Sequence, residues 1–223
     1  MTRPFAHPVT PTLIRNALEQ HIALDDEVFD QLYTVEIRKL SRVHWTPVGV
    51  ALRVAELLAP EPGMRVLDVG SGVGKVCCVG ALASGAVWDG IERDSRRVAA
   101  AIKTARVLRV DQRARFTCGE MTTLDWADYD SLYLFNPFEA DLFASELFDP
   151  QVVFPRYSEC VAETEERLAE LRSGARVLTY HGFGGEMPSC YELSSREKIG
   201  SDHLNLWIKR PSTKPRPGTA SSR

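Results

Sequence analysis

One stretch constrains this chain more than any other: Met64-Arg65-Val66-Leu67-Asp68-Val69-Gly70-Ser71-Gly72-Val73-Gly74-Lys75. Val66, Leu67 and Val69 form a short apolar run, the pattern of a parallel strand buried on both faces. Gly70, Gly72 and Gly74 follow at every second position. Such glycines permit a tight turn and let a ligand approach the backbone closely. Lys75 to Ser84 then reads as a helix, with Val76, Cys77, Val79 and Leu82 apolar and Gly85 as its stop. Strand, glycine turn and helix in this order belong to an α/β sheet protein.

The glycine spacing selects among ligands. A dinucleotide fingerprint would place its third glycine at residue 75, which is Lys75. The pattern is instead Asp68-x-Gly70-x-Gly72-x-Gly74. A carboxylate two residues ahead of the turn suits an ammonium group better than a diphosphate. These residues resemble motif I of the class I S-adenosylmethionine (SAM)-dependent methyltransferases. The resemblance covers residues 46–210. It implies an α/β fold: a Rossmann-like, seven-stranded, mostly parallel sheet with helices on both faces and one reversed edge strand. It implies SAM as cofactor, with Gly70, Ser71, Gly72 and Gly74 around the methionine part. A SAM-fold module without catalysis and an NAD-type oxidoreductase are the alternatives.

The rest of the chain fits that frame. Residues 1–45 read as an N-terminal extension: a Pro-rich arm, a helix over Thr12–Ala23, and a second helix capped by Asp25 or Asp26 and running to Leu40. Thr46-Pro47 reads as an N-cap and first-turn pair opening a helix over Val48–Leu58. Further strands are expected at 86–92, 115–118, 131–135 and 175–180, with a closing antiparallel pair at 191–195 and 203–208. Helices are expected from Asp94 or Ser95 to Val110 and from Ser158 to Arg172. Alternation of strands and helices implies a parallel sheet with right-handed crossovers. The order of the strands does not follow from the sequence.

In an open α/β sheet, ligands sit beyond the carboxyl ends of the strands. Glu92 ends the second strand, where an acid accepts both hydroxyls of a ribose. Glu120 and Met121 follow the third strand. In similar methyltransferases this turn contacts the adenine, a role weighed equally here against a loop acid with a core methionine. Asn136-Pro137-Phe138 follows the fourth strand and resembles the Asn-Pro-Pro-aromatic motif of amino-group methyltransferases, with one proline missing. There the Asn136 amide oxygen and the Pro137 carbonyl would accept the hydrogens of an amine and aim its lone pair, with Phe138 stacking on the acceptor. Glu139 fits an exposed loop acid better than a base. Trp45 and Thr46, just ahead of the core, are expected to face the cofactor. Arg38, His44 and Tyr180-His181-Gly182 are lesser candidates, with either histidine a proton relay or a structural residue. Gly-Ser-Gly-Val-Gly-Lys, together with Gly90-Ile91-Glu92, also looks like the Dot1-type lysine methyltransferases, although their substrate-side motifs ahead of the core are not evident.

Composition narrows partners. Of 27 basic residues among 223, five fall in residues 209–223, which hold no acid, leaving 22 basic against 30 acidic residues in the body. An acidic body argues against a broad nucleic-acid surface. Lys103, Arg106 and Arg109 share one helix face, which reads as a solvated one. Residues 211–223 read as a disordered tail. The five cysteines form no C-x-x-C pair, so no metal is expected and the thiols read as buried in a reducing cytoplasm. The N-terminus lacks a signal-peptide core, and no apolar run is long enough for a membrane span. The expected partner is a protein or small-molecule methyl acceptor; neither its identity nor the oligomeric state is legible.

Overall fold

A computed structural model describes residues 10–39, 45–138 and 150–211, with backbone alone over 150–154. The N-terminal arm, Leu40, His44, Glu139 and the tail beyond residue 211 lie outside the described residues.

The glycine stretch folds as its pattern demands. Strand β1 (Arg65–Val69) is followed by a turn in which Gly70, Gly72 and Gly74 take φ of 77°, 54° and 77°, a region L side chains rarely adopt. Three further helices precede β1 in the extension: α1 (Pro11–Glu19), α2 (Asp26–Phe29) and α3 (Val35–Arg38). Helix α4 (Val48–Leu58) leads into β1, and α5 (Lys75–Ser84) leaves the turn and stops at Gly85, φ 69°. Then come β2 (Val87–Glu92), α6 (Ser95–Val107), β3 (Ala114–Cys118), β4 (Ser131–Phe135), α7 (Pro150–Glu170), β5 (Arg176–Tyr180), β6 (Tyr191–Ile199) and β7 (Asp202–Lys209). Asp94 caps α6 by accepting the Arg96 N–H at 2.8 Å.

The seven strands form one sheet in the order β3-β2-β1-β4-β5-β7-β6. β1 pairs in parallel with β2 and β4, β2 with β3, and β4 with β5. β7 pairs antiparallel with both β5 and β6. The reversed strand is therefore β7, one position in from the edge rather than at it. The segment after β5 crosses to the edge to begin β6, and the hairpin at Gly200 and Ser201 folds β7 back into the gap.

Strand alternation divides the interior into two cores. Val66, Trp88, Tyr133, Leu178 and Tyr180 face α1, α4 and α5. Leu67, Val69, Leu132, Leu134 and Val177 face the other way, toward α7. Asp68 has the parity of Val66, so it points to the first face. In register beside it stand Gly90 of β2 and Tyr133 of β4.

The segment ahead of β1 departs from expectation in three places, the first being that α1 ends at Glu19 rather than Ala23. The second helix is broken: α2 ends at Phe29, a 3₁₀ turn covers Asp30–Leu32, and Tyr33 is extended (φ −103°, ψ 160°) before α3 begins. The break lets Tyr33 turn inward, where its hydroxyl donates to the Val73 carbonyl at 3.2 Å. Thr46 is not the cap of α4; Pro47 holds that position. The Thr46 hydroxyl bonds Tyr133 instead, and the Val48 N–H is taken from a distance by Asp26 Oδ1 at 3.0 Å. α7 begins at Pro150, earlier than expected. Cys77 and Cys78 are buried, but Cys118 is exposed. Lys103 and Arg106 are exposed on α6, as a solvated face requires; Arg109 is exposed too but lies past the end of the helix, left-handed at φ 56°. Among the described residues no helix is long and apolar enough to cross a membrane, and no group of side chains could hold a metal ion.

Candidate functional site

At the carboxyl ends of β1 and β4 opens a cleft of about 340 Å³, its mouth included, lined by Trp45, Thr46, Asp68, Gly70, Ser71, Gly72, Val73, Lys75, Val76, Tyr133 and Phe135.

Asp68 is the chemical centre of the cleft. It is 3% exposed, and burial lifts its carboxyl to about 7. The nearby charge of Glu92 pushes the same way, while the Cys77 thiol, donating to Oδ2 at 3.5 Å, opposes it. Lys75 also lines the cleft, yet its ammonium is engaged by Asp26 and, at 2.9 Å, by Asp30. The cation nearest in sequence to the turn is thus directed away from Asp68 toward α2 and the turn behind it.

Ser71 adds another unsatisfied group. Its Oγ is buried and has no hydrogen-bond partner among the described residues. Gly90 makes room for it: a Cβ there would stand 2.6 Å from both Ser71 Cβ and Oγ. Buried polar atoms ordinarily have partners. Among the described residues, Asp68 has no ion-pair partner and Ser71 Oγ no hydrogen-bond partner; both belong to the cleft lining and suit a ligand with charge and hydrogen-bonding groups.

Glu92 closes the floor of the turn. Oε2 accepts the Gly72 N–H at 3.0 Å and Oε1 accepts the Asp94 N–H at 2.9 Å. Each carboxylate oxygen keeps a further lone pair for a ligand hydroxyl. The roof comes from the extension and β4. Trp45 meets Tyr33 edge-on with centroids 5.0 Å apart, and the Thr46 hydroxyl lies 2.9 Å from the Tyr133 hydroxyl.

Trp45, Thr46, Asp68, Gly70, Ser71 and Gly72 are thus brought to one cleft, with Glu92 bonded to it and Gly74 opening the adjoining helix. Asn136 and Pro137 lie beside it: a Cβ on Gly70 would approach Pro137 Cβ to 3.1 Å. The other three sequence candidates lie elsewhere. Phe138 is buried in the core on the α7 face. Met121 is in that same core, 3.6 Å from the Thr164 hydroxyl. Glu120 is exposed and paired with Arg156 at 2.7 Å. Tyr133 and Phe135 line the cleft although sequence reasoning does not find them. A tyrosine inside an otherwise apolar strand is the available signal for Tyr133; Phe135 has the pattern of ordinary core.

Neither a family model nor a curated protein sequence matches the chain. Its fold does match solved structures. An RNA methyltransferase from Salinibacter ruber, in complex with S-adenosyl-L-homocysteine, aligns with a TM-score of 0.53 at 20% identity, over 77% of this chain and 96% of that one. A SAM-dependent O-methyltransferase from Thermotoga maritima aligns with a TM-score of 0.53 at 14% identity, over 81% and 72%. TrmN from Thermus thermophilus aligns with a TM-score of 0.53 at 19% identity, over 78% of this chain and 52% of that one. The likeness establishes the fold: the Rossmann-like α/β architecture of the class I methyltransferases.

Proposed function

We propose that this chain is a SAM-dependent methyltransferase whose acceptor atom is a nitrogen of a protein side chain or a small molecule. The observation that carries the reading is the state of Asp68. A buried carboxyl lifted to about 7, with the neighbouring lysine engaged elsewhere, favours a ligand that brings its own ammonium. The orphaned Ser71 hydroxyl and the free lone pairs of Glu92 fit the remaining polar groups of such a ligand. A solved structure of the same fold that carries S-adenosyl-L-homocysteine supports the assignment.

When bound, SAM supplies a methyl group activated by its sulfonium. The chain's own residues do the rest. Asp68 holds the amino-acid end, with Gly70, Ser71, Gly72 and Gly74 around it, and Glu92 holds the ribose. Trp45, Thr46 and Phe135 shield the cleft from water. Asn136, left-handed at φ 38°, and Pro137 present oxygens to the acceptor's N–H groups, with Phe138 packed beneath them. The sequence pieces shared with Dot1-type enzymes, and the Asn-Pro-Phe turn, support nitrogen over oxygen. An RNA acceptor, the class for which the Salinibacter ruber methyltransferase is named, is the competing outcome of the test.

Calorimetry with S-adenosylhomocysteine and with NAD tests the cofactor. Methyl-labelled SAM offered with total RNA, a protein mixture, or a mixture of amino acids and amines tests the acceptor. Micromolar binding of S-adenosylhomocysteine, no binding of NAD, and label in protein or amines are expected. Binding of NAD alone would end the reading. Binding without labelling of any pool would leave a non-catalytic module.

A further inference from the structure

Beside the cleft, on the acceptor side, lies a cluster that the assignment above does not use. His181 is the first residue after β5, at the same edge of the sheet as Asp68. Its ring lies 5.2 Å from that of Phe135, which lines the cleft. Nδ1 is 3.2 Å from Asp202 Oδ2, and Nε2 is 3.0 Å from Ser201 Oγ. We propose that Ser201, His181 and Asp202 form the proton path of methyl transfer, with His181 as the base that receives the acceptor's proton through the Ser201 hydroxyl. The proposal rests on the methyltransferase reading.

Asp202 sets the direction of the path through the tautomer it selects at His181. Burial pulls the Asp202 carboxyl up, but bonds from the backbone and side chain of His203 and the charges of both histidines outweigh it and hold the carboxyl below its ordinary value. Asp202 is therefore an acceptor only, and neutral His181 carries its proton on Nδ1. Nε2 then offers a lone pair to the Ser201 O–H. Tyr180 Oη lies 3.1 Å from both the Ile199 carbonyl and Ser201 Oγ; with its proton on the carbonyl it does not donate to the serine, and it competes with Nε2 only as an acceptor. Tyr180 Oη accepts the Ser201 N–H at 3.2 Å and so fixes the turn that carries the serine. A hydroxyl, a base and a carboxylate that orients the base are the parts of a proton relay. The His181 side chain is 33% exposed and Ser201 is exposed, so the path opens to solvent at the serine.

The backbone supplies an independent observation. Asn136 and His181 follow immediately on the paired strand ends Phe135 and Tyr180, and both are left-handed, with φ 38° and 58°. The Asn136 N–H donates to the Gly182 carbonyl at 2.8 Å, tying the two turns together. Non-glycine residues in this region cost on the order of 1–3 kcal/mol each and cluster at functional sites. Here the paired distortions set Asn136 and His181 side by side at the cleft mouth.

The step balances. The acceptor's N–H bond breaks as its proton passes to Ser201 Oγ, while the Ser201 proton passes to His181 Nε2. The nitrogen lone pair forms the new N–CH₃ bond, and the electrons of the S–CH₃ bond remain on sulfur. The imidazolium is held by Asp202 until it returns its proton to water. The charged and titratable groups facing the ring are Asp202 and, through it, His203 on β7, with Tyr180 on β5; Phe135 on β4 is neutral.

The test uses the full chain and its H181Q, D202N and S201A variants. S-adenosylhomocysteine affinity is measured by calorimetry, and kcat and its pH profile are measured at saturating SAM with whichever of the three acceptor pools the unaltered chain labels. Expected are affinities within about twofold of one another, a fall in kcat of about 10²-fold or more for H181Q, and loss of the acidic limb of the kcat profile in that variant alone. D202N and S201A should lose about tenfold or more and keep a limb at a shifted position. Unaltered kcat in H181Q, or a reduced kcat whose acidic limb persists, would overturn the proton path and leave the methyltransferase reading standing. Failure of the unaltered chain to bind S-adenosylhomocysteine, or to label any pool, would overturn both.

Discussion

Glu92 Oε2 accepts the Gly72 N–H at 3.0 Å, fastening the end of β2 to the turn that follows β1. One side chain thus shapes the glycine turn and faces the place where a ribose is assigned. Glu92→Ala should lower S-adenosylhomocysteine affinity by about 10²-fold, since it removes a charge-assisted bond to the turn together with the ligand's acceptor. Glu92→Gln, which keeps one acceptor oxygen, should lose about tenfold. Calorimetry on both variants checks the order; equal affinities in all three proteins would remove Glu92 from the site.

Gly90 is predicted to be as intolerant as the turn glycines for a different reason. A methyl at residue 90 would sit 2.6 Å from Ser71 Cβ and Oγ and 2.8 Å from the Phe116 ring. Overpacking of this kind costs about 1–3 kcal/mol. Relief by moving Ser71 would carry its hydroxyl out of the cleft wall. Gly90→Ala should therefore lower both the melting temperature and the ligand affinity, with affinity falling tenfold or more.

Asp68 makes ligand-free stability depend on pH in an unusual direction. The folded chain holds a proton there up to about pH 7, whereas an unfolded aspartate releases it near 3.9. Between those values the native state binds more protons than the unfolded state, so stability falls as pH rises and levels off above 7. The upper bound on the loss is on the order of 4 kcal/mol. Asp68→Asn should melt higher than the unaltered chain at pH 8, by about 2–4 °C per kcal/mol. The advantage should shrink toward pH 5. Added S-adenosylhomocysteine should raise the melting point of the unaltered chain and leave the variant's nearly fixed.

The extension is held to the core by charge. Lys75 is 3% exposed and Asp30 is 5% exposed, and they meet at 2.9 Å beneath Trp45. Removing one partner of an isolated buried pair costs about 3–5 kcal/mol. Asp26, still bonded to Lys75, should hold the loss for Asp30→Asn to about 1–3 kcal/mol. The double change Lys75→Met with Asp30→Leu should recover most of it. Thermal unfolding of Lys75→Met, of Asp30→Leu and of the double variant forms the cycle.

The sequence discloses what is local. Val66 to Val69, the spaced glycines and the αL stop at Gly85 are decided within a few residues, so β1, its turn and α5 are legible. Glu92 is found because strand ends are where such sheets bind. Long-range partners are not legible. Tyr133 meets Asp68 only through β1–β4 register, and Asp26 bonds the first turn of α4 from another helix. The inward turn of Tyr33 overrides a helical apolar pattern that runs straight through it. Met121 and Phe138 have the composition of a binding wall, but they pack into the far core with Leu168 and Leu171. The position of β7 depends on the route taken after β5, which no residue pattern encodes.

Proton linkage of S-adenosylhomocysteine binding is the decisive measurement, made by calorimetry at pH 6 and pH 8 in buffers of different ionisation enthalpy. If Asp68 receives the ligand's ammonium, binding at pH 6 releases close to one proton, binding at pH 8 releases almost none, and Asp68→Asn abolishes the release along with most of the affinity. Binding without proton release at pH 6, equally tight in the Asn variant, would contradict it.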